Sequence, residues 1–404
     1  MAELLEFLTT LLFVLWLGLM AFAWARFDVL PHGKLLYAIS ALWPLILAED
    51  LLRLSGAAHW LAVLVGLFYC VPLLMMVAVA LMSFPMVQKQ PIRWRPLMYL
   101  GVVLVVGLQV PTLLLPASEK INLLMQQPQG NPLTYAPVYF VYGLTGLMIV
   151  GIGIKLVEAM QTYQNTLSEQ VVDVSYYRVP TIISLLATMV GIGFAATILT
   201  ALVAFNFVQF SWWQTTLHYA YGLVFLMIFI LLLERRRYSP QPLDLVRLEK
   251  KQGEEWRLRE ALARAEKAMI QRKAYKVIGL RIEQLADAAG VDPTDLAIAI
   301  HVLLKRNFRA FVYHYRLEYA KKVLMRTDAK VTAVARRLGF ESEKFLSDMF
   351  IKYITTMGAR SASEFDDPLD AHDEPIFLDP LAKIQTPNTA ASNGAVQAQT
   401  SKAN

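Results

Sequence analysis

The chain has 404 residues, 56% of them hydrophobic and only 17% charged, with a formal net charge of +6. A typical soluble chain carries about 25% charge, so an ordinary cytosolic enzyme, a disordered chain and a collagen-like fibre are excluded. Charge is unevenly spread: Lys+Arg and Asp+Glu number 9 and 9 over residues 1–233, 27 and 15 over 235–360, and 2 and 7 over 361–404.

From the amino end, seven apolar stretches follow one another: about 5–25, 35–52, 59–82, 97–116, 136–158, 181–205 and 214–233. Each has the length a helix needs to cross a bilayer. The start, MAELLE, is acidic and no cleavage site follows, so the first stretch reads as a retained span. One set of loops holds Arg26, Lys34, Lys89, Arg93, Arg95, Lys155 and Arg178, followed by Arg235–Arg237. The opposite set holds only Arg53 and Lys120. By the positive-inside rule the N-terminus is outside and the C-terminal half is cytoplasmic.

Ionisable residues are scarce in the spans. Glu49, Asp50 and His218 fall near outer ends and form a candidate ligand pocket for a small-molecule or protein signal. The plainer alternative is solvated acids beside interfacial anchors such as Trp212 and Trp213. Gly143, Gly146 and Gly153 share one face of the fifth span, which suits close packing on a neighbouring helix.

Ser-Pro-Gln-Pro at 239–242 breaks the helix after the last span. Leu258, Leu262, Ala265 and Met269 then recur at 4-3-4 spacing. This narrow stripe fits an exposed linker helix or a helix that pairs across a homodimer.

From about 276 the pattern becomes short amphipathic helices with clear stops. Gly290 ends one, and Asp292-Pro293 caps and begins the next. A second helix-turn-helix has Gly339 as its turn, and a long helix over Phe311–Met325 joins the two. In a basic block, this arrangement points to nucleic-acid binding.

The same words resemble the DNA-binding domain of AraC/XylS-type regulators. They are Leu285-Ala286…Gly290-Val291, Phe308-x-x-Phe311…Arg316-Leu317-Glu318-x-Ala320-Lys321, Leu324-x-x-Thr327-Asp328-x-x-Val331-Thr332-x-x-Ala335, Gly339-Phe340-x-Ser342 and Phe350-x-Lys352. The resemblance covers about 266–365 and is similar to a membrane-bound branch of the family. It implies two reading helices that enter successive major grooves. The base-facing positions of the first would be Thr294, Ala297, Ile298 and His301, where the family usually has polar or cationic residues. Those of the second include Ser347 and Asp348, where the family usually has Arg after Ser. Lys305, Arg306, Arg309, Arg336, Arg337, Lys344 and Lys352 are candidate phosphate contacts.

The expected organisation is all-α: a polytopic bundle of about seven spans over 1–233, a linker helix over 234–275, a double helix-turn-helix over 276–365 and a disordered acidic tail over 366–404. The expected function is a membrane-embedded transcription regulator of the bacterial inner membrane, with DNA and the lipid bilayer as partners. The alternative is a membrane signalling protein whose altered reader binds another protein. No catalytic residue, metal site or cofactor is expected.

Overall fold

The computed structural model describes residues 2–25, 33–54, 59–89, 93–234, 243–244, 247–248, 250, 253–327, 329–340 and 342–357. The expected acidic tail over 366–404 lies outside them. Among the described residues there are only helices, turns and one isolated antiparallel bridge, Val171 with Arg281. The chain forms two compact units. The first comprises 1–163 and 179–236, and the second comprises 164–178 and 237–404. The second unit therefore takes in a segment that sequence reading leaves inside the membrane block.

The first unit contains α1 (Ala2–Ala25), α2 (Gly33–Ala41), α3 (Ala48–Leu54), α4 (Val71–Val87), α5 (Arg95–Leu113), α6 (Ala117–Met125), α7 (Ala136–Thr166, passing into the second unit at 164), α8 (Pro180–Ala204) and α9 (Trp213–Glu234). Among the described residues, six stretches are long and apolar enough to cross a membrane: Glu6–Ala25, Lys34–Leu54, Arg95–Leu113, Ala136–Glu169, Pro180–Ala204 and Trp213–Leu233.

Two expected spans are interrupted. The second bends through a 3-10 turn at Trp43–Leu47, where Pro44 brings no N–H to the helix ladder. Buried Trp43 is anchored there by its indole N–H, which donates to Gly222 O at 2.8 Å. The third expected span, 59–82, is a 3-10 turn at His59–Leu64, a break, and then the 17 residues of α4. Gly66 sits in the break at φ +81°, and its N–H donates to Glu49 Oε1 at 2.8 Å. A buried carboxylate thus captures a backbone donor that a continuous helix would have used itself.

Gly146 and Gly153 of α7 pack against α8, whereas a Cβ on Gly143 would meet nothing within 4 Å. A Cβ on Gly146 would meet Gly193 O of α8 at 2.7 Å, and one on Gly193 would meet Gly146 O at 2.9 Å. Only glycine allows two helix backbones this close.

The second unit contains α10 (Glu255–Gln271), α11 (Ile282–Ala289), α12 (Pro293–Leu303), α13 (Phe308–Arg326), α14 (Val331–Arg337) and α15 (Glu343–Met357). One core joins all six, including Ala265, Met269, Leu285, Leu296, Ile300, Phe308, Val334 and Leu346. Segment 164–178 contributes Val172 to that core.

Candidate nucleic-acid interface

The second helix-turn-helix is α14, a turn at Gly339 and α15. Gly339 has φ +70°, and a Cβ there would meet the Ile278 side chain at 3.2 Å. Val334, Ala335, Leu338, Phe340 and Leu346 are buried and hold the two helices together. Ser342 begins α15, its Oγ accepting the Phe345 N–H at 3.0 Å. Lys344, Ser347, Asp348 and Ile351 recur at i, i+3, i+4 and i+7, and all four are exposed. Arg336 is exposed beside them and Arg337 is half-buried. The side chain of Lys352 lies outside the described residues.

The first helix-turn-helix is α11, a turn at Gly290 (φ +69°) and α12. Asp292 caps α12, with Oδ1 accepting the N–H groups of Thr294 at 2.8 Å and Asp295 at 3.1 Å. The equivalent face of α12 carries Thr294, Ala297, Ile298 and His301. Three of these are buried: Thr294, Ala297 and Ile298 are 2%, 1% and 0% exposed. The reason is α10. Leu258 of α10, Ile298 and Ala299 form a separate apolar cluster, with Leu248, Leu262 and Leu303 packed against it. Arg247 also ion-pairs with Asp295. Of the stripe expected on a linker or dimer helix, Leu258, Ala265 and Met269 are buried within their own unit. His301 is partly exposed and lies 3.9 Å from Glu169 Oε1.

The expected phosphate contacts divide. Lys305 and Arg306, just beyond α12, are exposed. Arg309 is engaged instead, donating to Tyr313 Oη at 3.2 Å and lying over the Tyr313 and Phe345 rings.

Sequence reading missed the brace formed by segment 164–178. Arg316 of α13 is 0% exposed. Its Nε and Nη2 donate to Tyr275 O and Val277 O at 2.9 and 2.8 Å, and its Nη1 lies 3.5 Å from Asp173 Oδ1. Asp173 Oδ2 accepts the Gly279 N–H at 2.6 Å. The Val172 N–H donates to Leu280 O at 3.1 Å, and the Ile282 N–H donates to Gln170 O at 2.8 Å. The only hint in the sequence is Val171-Val172-Asp173, an apolar pair and an acid in a loop read solely for its charges.

In the first unit, Glu49, Asp50 and His218 are buried at 3%, 1% and 4% exposure. Asp50 Oδ2 lies 2.8 Å from His218 Nδ1, and His218 Nε2 lies 2.7 Å from Tyr142 Oη. Asp50 Oδ1 accepts from Thr215 Oγ1 at 2.7 Å and from Arg53 Nη1 at 3.3 Å. Arg53 also lines a cavity of about 940 Å³ with Trp212, Tyr135 and Gln126, whereas Glu49, Asp50 and His218 are not among its walls.

Comparison with known proteins adds one match: residues 285–357 fit the family model described as a helix-turn-helix domain. No curated protein and no solved structure matches the chain. The matched span runs from the middle of α11 to the end of α15 and includes both turns. Residues 285–357 are therefore similar to this helix-turn-helix domain, which is consistent with an AraC-type regulator.

Proposed function

We propose that this chain is a membrane-anchored transcription regulator that binds DNA through its second unit and receives a signal through its first. The observation that carries the reading is the helix-turn-helix match, on a domain whose second reading helix presents an open polar face with Lys344 and Arg336 beside it. Loop charges support a cytoplasmic second unit and an external N-terminus, an assignment that requires the 17-residue α4 to cross as a seventh span beside the six longer stretches. The bilayer proposed as host is a bacterial inner membrane.

The brace supports coupling between the two jobs. Residues 164–178 connect α7 to α8, both of membrane length, and they also complete the domain that includes Arg316. A change in α7 or α8 therefore reaches the domain through the chain itself, without a separate messenger. Arg53 is the proposed entry for the signal, since it lines the cavity and contacts Asp50. From Asp50 the polar chain runs through His218 to Tyr142 on α7.

The test is titration of the full-length protein in lipid nanodiscs with duplex DNA at several salt concentrations. Binding should weaken steeply with salt, by about −0.9 in the log–log slope for each phosphate contacted. Failure to bind any duplex at low salt would transfer the role to a protein partner.

A further inference from the structure

The geometry points to a single base reader per chain: α15 reads DNA, while α12 has been converted into the seat of the linker helix α10. This inference rests on the DNA-binding reading above and sharpens it.

Residues 296–300 of α12 are all buried. Successive helical residues turn by about 100°, so five in a row leave no open side over more than a full turn. A helix buried all round cannot lie in a major groove, which must reach the side chains of one face. By contrast, the matching face of α15, Lys344, Ser347, Asp348 and Ile351, is exposed throughout.

The residues on both sides of the cover agree with a permanent contact. Ile298 occurs where a base-reading helix needs a hydrogen-bonding group, and with Ala299 it meets Leu258, Leu262 and Leu248, while Ala297, at another such position, packs into the main core of the unit. Lifting α10 would expose this apolar cluster of Leu258, Ile298 and Ala299 to water without freeing a polar group of that cluster to meet a base. A cover meant to open over a working reader would conceal polar groups. The loss of polar reading residues from α12 and the presence of an apolar stripe on α10 thus have one physical cause. Lys305 and Arg306 remain exposed at the end of α12 and can still touch phosphate, which adds affinity without sequence.

The experiment has two parts, both on full-length protein in nanodiscs. Base preference is first determined by selection from random duplexes for the parent chain and for Ser347→Ala, Asp348→Ala, Thr294→Ser and His301→Ala. Every preferred position should respond to Ser347→Ala or Asp348→Ala, with discrimination changing about tenfold at the base contacted. Thr294→Ser and His301→Ala should leave the preference unchanged. If they instead alter a second block of bases one helical turn from the first, α12 is a reader and the inference fails.

The second part locks the cover. Leu258→Cys/Ile298→Cys in a Cys70→Ser background is oxidised to join α10 to α12. The locked and reduced forms should bind the same sequences with equal affinity. Loss of affinity or preference on locking, restored by reduction, would show that α10 must lift and would overturn the proposal. If the parent chain binds no duplex at all, the DNA-binding reading falls and this inference falls with it. Binding with two reading helices overturns the inference alone.

Discussion

Arg316 and Asp173 show how one buried pair sets the composition of a domain. The guanidinium is wholly enclosed, and two of its donors are taken by backbone carbonyls. Removing the nearby carboxylate leaves a buried charge short of its counter-charge, a change that costs about 3–5 kcal/mol. Asp173→Ala should therefore lower the unfolding midpoint of the second unit and weaken DNA binding, although Asp173 is far in sequence from α14 and α15. An unchanged midpoint, followed by limited proteolysis of the full-length chain, would count against the brace. His314 makes a second residue-level prediction. Burial and then the Arg306 charge push its pKa down to about 4 from an ordinary 6.5. The folded state thus resists protonation that the unfolded chain accepts, so stability present above pH 6.5 is lost as pH falls toward 4. Thermal unfolding of the parent protein should show a larger drop over that range than His314→Gln. Parallel pH curves would remove His314 as the cause.

Among the elements, α7 and α8 meet where glycine is required on both sides. Even Gly146→Ala places a methyl group against the Gly193 carbonyl, whose backbone cannot swing aside as a side chain can. The helices must separate, at a cost of about 1–3 kcal/mol. Gly143→Ala is the control, because no atom lies within 4 Å of a Cβ there. Thermal denaturation in detergent should separate the two variants, and equal midpoints would contradict the close crossing. The same contrast explains what sequence makes legible. Gly290, Gly339 and the Asp292-Pro293 start are visible because a left-handed turn and an N-cap depend on a few adjacent residues. The fate of Ile298 is not visible, because its cover begins at Leu258, 40 positions upstream, on a helix that also reads as a dimer stripe. The brace is harder still, since Asp173 and Arg316 are 143 positions apart. Periodicity also runs apolar residues 59–82 together as one span, whereas the Glu49–Gly66 bond divides them. Composition records that this stretch is apolar but not that a distant carboxylate takes one of its N–H groups.

At the scale of the whole molecule, the chain crosses between its units at 163/164, 178/179 and 236/237. The second unit is therefore held by both ends of the 164–178 segment and by the chain that leads to α10. Its basic surface should bind duplexes with strong salt dependence. Asp348→Arg should strengthen binding to random duplexes by replacing an exposed anion with a cation, and should also change the preferred base, because Asp348 lies on the reading face of α15. Titration against random and selected duplexes distinguishes these effects. A weaker affinity for random duplexes would show that Asp348 does not face phosphate.

The claim that a membrane-anchored chain reads DNA is tested most directly by crosslinking the intact protein in living cells and mapping the chromosomal fragments recovered with its membrane fraction. A discrete set of sites is expected, strongly reduced by the double substitution Arg336→Ala/Lys344→Ala at equal protein level. Recovery of no enriched fragment, or of the same fragments with the double variant, would contradict it.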